Sequence, residues 1–206
     1  MKNKFLALVL LAIASVFVNI NSASAVCPSP LSWDYPNIPY NGEFTRTMPA
    51  NAAGCVITYK YCWRTTPGYY DYVITDITYS GACGPYYNDV KALLDAIAVD
   101  LVQVDPWGAV GSIPPCPTLS PSVWRQGAPS CYAEYWDPWT LEGSAIPCVE
   151  YSDASYCWFS YQYCWKYNPT TGKNELEPHV VAQGTSNNPC SGTGGPYDTP
   201  CNYICD

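Results

Sequence analysis

The chain has 206 residues, of which 17 are acidic and nine basic, for a formal net charge of −8. That balance excludes nucleic acid and anionic lipid as partners held by charge, because both require a basic surface. Aromatic residues make up 15% and charged residues only 13%, a composition that can build a core and does not read as disordered.

The chain opens with Lys2 and Lys4, a nearly unbroken apolar run from Phe5 to Ile20, and the small-x-small site Ala23-Ser24-Ala25. This is the pattern of a secretory signal peptide over residues 1–25, with Val26 as the first mature residue. No later stretch is apolar enough to span a bilayer, so no membrane span is expected after cleavage. The leader holds two lysines and no acid, so its removal shifts the formal charge from −8 to −10. A secreted protein, extracellular or at the cell surface, is the expectation.

All 12 cysteines follow the leader: Cys27, Cys55, Cys62, Cys83, Cys116, Cys131, Cys148, Cys157, Cys164, Cys190, Cys201 and Cys205. An even count in an exported chain reads as six disulfides. A metal site is not expected, since there is one histidine and no Cys-x2-Cys pair.

A first repeat unit is expected over residues 26–107. Its hairpin, about 55–79, starts with Cys55-Val-Ile-Thr-Tyr-Lys-Tyr-Cys62-Trp63-Arg64. At period two, Cys55, Ile57, Tyr59, Tyr61 and Trp63 share one face, which should be buried. Thr66-Pro67-Gly68 marks the turn, and Asp71 and Asp76 interrupt the alternation of the return strand. Closing the hairpin should pair Cys55 with Cys83. Cys62 must then reach a segment on the opposite face, with Cys27 the suggested partner. A helix follows at about 89–104, capped by Asn88 and carrying Val90, Leu93, Leu94, Ile97, Ala98 and Leu101 on its buried face.

Residues 108–130 are rich in Pro, Gly and Ser and read as a linker stapled through Cys116. An aromatic cluster follows, Trp124, Tyr132, Tyr135, Trp136 and Trp139, interleaved with Glu134, Asp137 and Glu142. It is either core volume or a platform for stacking on sugar rings.

The second repeat unit, 131–206, has its hairpin at about 157–183. Cys157-Trp-Phe-Ser-Tyr-Gln-Tyr-Cys164-Trp165-Lys166 nearly copies the first strand 102 positions on, and Gly84-Pro85-Tyr86 returns as Gly195-Pro196-Tyr197. Here Cys157, Phe159, Tyr161, Tyr163 and Trp165 form the face expected to be buried. By analogy with the first hairpin, Cys157 should pair with Cys190, leaving Cys164 to reach the opposite face. Pro178 lacks a backbone donor and marks the return strand as an edge, beside the lone His179.

The fold expectation is therefore mainly β: two related disulfide-stapled hairpin or small-sheet units with one amphipathic helix between them. No set of nucleophile, base and orienting residue can be assembled around the single histidine, and no cofactor motif is present, so no catalytic residue is assigned. The expected function is a non-enzymatic structural or interaction protein, joining copies of itself through edge strands. The alternative is a carbohydrate-binding module facing surface polysaccharide through the aromatic cluster.

Overall fold

A computed structural model describes residues 27–51, 53–86, 89–186, 190–194 and 199–205. The leader, Val26, Asn88 and the second Gly-Pro-Tyr lie outside the described residues.

Among those residues, nine strands form one sheet. β1 (Phe44–Thr47) pairs with β2 (Val56–Thr66), which forms an antiparallel hairpin with β3 (Tyr69–Ser80). β3 then divides its other edge between two neighbours. Tyr69–Val73 pair in parallel with β4 (Val123–Pro129), and Ile77–Ser80 pair antiparallel with β6 (Glu142–Pro147). One arm of this fork continues from β4 to β7 (Tyr156–Asn168) and β8 (Lys173–Thr185). The other continues from β6 to β5 (Cys131–Asp137) and the two-residue β11 (Asn202–Tyr203). β9 (Thr193–Gly194) and β10 (Thr199–Pro200) make a separate short ribbon.

The mainly β expectation holds, but the two hairpins share one continuous sheet. The segment expected to be a linker supplies β4, which joins them from the middle. Its Trp-Arg-Gln-Gly-Ala-Pro sequence shows no alternation, because the strand is covered on both faces and all six residues are buried.

Both aromatic faces are buried as expected. Ile57, Tyr59, Tyr61, Phe159, Tyr161 and Tyr163 point into a core covered by helix α1 (Val90–Val104). Its apolar stripe is the anticipated one. Its N-cap is Asp89, which accepts from the Ala92 N–H at 2.8 Å. Asp100 is buried on the same side, bonded by Arg46 and the Tyr59 hydroxyl.

All 12 cysteines are paired. Cys27–Cys62 and Cys55–Cys83 match expectation, and Cys116–Cys164 gives Cys164 its partner on the opposite face. Cys157 does not pair with Cys190: the bridges are Cys131–Cys190, Cys148–Cys201 and Cys157–Cys205. The reason is the C-terminal return. β11 pairs with Cys131 and Tyr132, and the Ile204 N–H bonds the Ser130 carbonyl, which carries Cys205 alongside the start of β7. A bridge set of this kind fits an oxidising, extracellular setting. Among the described residues no helix is long and apolar enough to cross a membrane.

Candidate functional site

The five aromatic residues singled out in the sequence do not form one platform. Trp124 is 0% exposed and packs edge-on against Tyr163, because β4 is a central strand. Tyr132 is equally buried. Trp136 stacks on Tyr79 with ring centroids 5.8 Å apart, and Tyr135 is partly covered. Trp139 alone is open, 93% exposed at the tip of the β5–β6 hairpin. There the Trp139 N–H bonds Asp137, whose carboxyl is thereby held below its usual range.

A different constellation sits on the sheet face opposite α1. Arg64, Asp71 and Arg125 are direct cross-strand neighbours on β2, β3 and β4, a row of alternating charge. Asp34 caps the row from the N-terminal arm. Arg64 donates to Asp71 at 3.0 Å and to the Asp34 carboxylate at 2.9 Å. Its remaining donors go to the carbonyls of Asp34, Tyr35 and Ile38. All five guanidinium hydrogens are thus engaged, and the side chain is 1% exposed. The arm is held in shape by these bonds, with Tyr35 kept at φ 46°, a left-handed conformation unfavourable for a bulky residue.

Arg125 is differently employed. Its Nε and Nη2 bond Asp71 and Asp34 at 2.6–2.9 Å. Among the described residues no hydrogen bond uses Arg125 Nη1 or the Oδ1 of Asp34, and neither is a buried atom lacking a partner. A donor and an acceptor therefore flank one ion pair at the floor of a depression of about 720 Å³. Its walls include Trp33, Tyr35 and Tyr69. Trp33 is 50% exposed and leans on Tyr156, with centroids 5.2 Å apart. The Arg125 guanidinium lies 4.5 Å over the Tyr69 ring, which holds its plane. Behind it stand Tyr40 and Tyr151, whose phenols burial pushes well above their usual range, so both remain neutral.

The sequence carried one signal of this site. A two-residue turn after Thr66 sets Arg64 opposite Asp71, and Asp71 was an interruption of the alternation. Arg125 and Asp34 gave none, the first hidden in a segment read as a linker.

At the far end of the sheet, β8 is an edge strand. Tyr163, opposite Pro178, spends its N–H and C=O on Ser120, so this is a non-bonded pair and Pro178 turns its missing donor toward the free edge. A bulge opposite Ser160/Tyr161 follows two residues later. His179 is partly exposed, 3.8 Å from Glu177.

Among the described residues no cluster of His, Cys, Asp or Glu could hold a metal ion. No family model, no curated protein and no solved structure matches the chain.

Proposed function

We propose that the protein is an exported, non-enzymatic binding protein whose ligand is a carbohydrate, held in the depression between Trp33 and Arg125. The observation that carries this reading is the uncommitted donor of Arg125 and acceptor of Asp34 beside a half-exposed indole. A sugar ring lays its apolar C–H face on an aromatic plane, while adjacent hydroxyls accept from a guanidinium and donate to a carboxylate. The groups are pre-organised by their own ion pairs, which lowers the ordering cost of binding. Neutral polysaccharides should quench or shift the tryptophan fluorescence of the oxidised mature protein, and Trp33→Ala should remove the response. Loss on Trp139→Ala with retention in Trp33→Ala would move the site to the hairpin tip, and no response to any polysaccharide would end the reading.

Self-assembly through β8 is a second reading. It is favoured by a 13-residue edge with Val180 and Val181 exposed, and opposed by the outward Pro178 and the bulge, both devices that block strand addition. Sizing and electron microscopy of the oxidised protein decide it: fibres or defined oligomers support assembly, whereas a monomer at high concentration rejects it.

A further inference from the structure

The row beside the charge row carries a second indole. Two residues along each strand from Asp71, Arg125, Ser160 and Ala182 stand Val73, Gly127, Trp158 and Gly184, again direct cross-strand neighbours on the face opposite α1. No member of this row is charged. Its two glycines leave room for rings. A Cβ at Gly127 would stand 2.6 Å from the Tyr151 hydroxyl, and one at Gly184 would stand 2.4–2.6 Å from three atoms of the Trp158 indole. The indole is therefore laid across β8, and the approach is one that only glycine permits.

Trp158 has capacity to spare. It is partly exposed, and among the described residues no other ring stacks on it and no hydrogen bond uses its Nε1. Nor is Nε1 a buried atom lacking a partner, so this donor opens to solvent. Shared walls fix its place relative to the depression. Trp33, Asp34 and Arg125 border the depression on one side and, on the other, a void of about 10 Å³ that Trp158 helps to close. Such a void has scarcely room for one water, so the two indoles are near neighbours.

We propose that Trp158 is a second stacking platform, and that the ligand is an oligosaccharide chain that runs from one indole to the other with a sugar ring on each. This rests on the carbohydrate reading of the depression and adds the length of the ligand to it. A glycan chain presents an apolar C–H face at successive residues, so two indoles held in one frame can take two rings of one polymer. Trp158 Nε1 donates to a sugar hydroxyl there, as Arg125 does at the first position. The guest is neutral, because the row holds no charge and the two guanidinium groups beside it are matched by two carboxylates.

Isothermal titration calorimetry of the oxidised mature protein tests this, with gluco-, xylo- and manno-oligosaccharides each taken from disaccharide to hexasaccharide. In at least one series the hexasaccharide should bind roughly tenfold more tightly than the disaccharide, the gain of one further stacked ring. Trp158→Ala should remove that gain while the disaccharide affinity stays unchanged, which also shows that the fold is kept. Trp158→Tyr, which retains a flat ring, should restore part of the gain. Gly184→Ala, which lifts the indole from β8, should act like Trp158→Ala, whereas Trp33→Ala should abolish binding at both lengths. Affinity that does not grow with chain length, a gain that survives Trp158→Ala, or an equal loss at both lengths in Trp158→Ala would overturn the second platform and leave the Trp33 site standing. No binding in any series would overturn both.

Discussion

The β2–β3 and β7–β8 hairpins begin from nearly the same strand sequence and end in opposite circumstances. Both turn tyrosines inward beneath α1, and both send the second cysteine of the pair to the other face. On that other face they diverge. Arg64 is sealed beneath the N-terminal arm with both carboxylates bonded, whereas Lys166, at the matching position, is exposed and paired only with Glu177 at 2.7 Å. The difference lies in the neighbours. β3 has strands on both edges and an arm across its outer face, while β8 has a partner on one edge only. A strand's own pattern specifies the face it buries, and the chain segments laid over its back decide what the other face becomes.

The sharpest way to break this comparison is to remove one charge from each hairpin. Asp71→Ala removes one of the two carboxylates that the buried Arg64 and Arg125 guanidinium groups share and should lower unfolding free energy by about 3–5 kcal/mol. Glu177→Ala, at an exposed pair, should cost under about 1 kcal/mol. Denaturant unfolding of the oxidised proteins measures both, and equal losses would refute the asymmetry.

The bridges sharpen it next. Replacing Cys55 and Cys83 by serine should cost about 2–4 kcal/mol. Replacing Cys157 and Cys205 should cost about 0.5 kcal/mol more, because that bridge spans 48 residues rather than 28. Peptide mapping that recovers Cys157 joined to Cys190 would contradict the C-terminal return.

A third test concerns the side of the sheet under α1. Glu134 on β5 is 7% exposed, and burial lifts its pKa to about 7, against the pull of the Asp89 backbone N–H. The folded state therefore holds this proton over a range where the unfolded chain has released it. Stability should decline as pH rises from about 4.5 to about 7, by on the order of 2 kcal/mol. Glu134→Gln should flatten that slope, and an unchanged profile would remove Glu134 as its source. The smallest stability effects belong to the surface aromatics. Trp33→Ala and Trp139→Ala should each change unfolding free energy by under about 1 kcal/mol, yet only the first should abolish carbohydrate binding.

Legibility in the sequence followed local regularity. The helix, both aromatic strands and the Cys55–Cys83 closure all rest on periodicity or on a hairpin's geometry, and each stands in the structure. The Cys157 bridge failed because its partner arrives through β11, a two-residue strand with no period to detect. The binding platform failed because Trp124 lies on β4, whose uniform burial erased the alternation that would have marked a strand. The charge row needed three strands and the arm brought together, so only the Arg64–Asp71 pair was within reach of local reasoning.

The tail shows what cross-linking means for a chain met by a protease. Cys190, Cys201 and Cys205 are tied in turn to Cys131, Cys148 and Cys157. A protease that cuts between Cys190 and Cys201 therefore liberates nothing: the severed end stays attached by two covalent tethers. Damage there would show as one extra water in the intact mass, with no piece lost until the sulfurs are reduced.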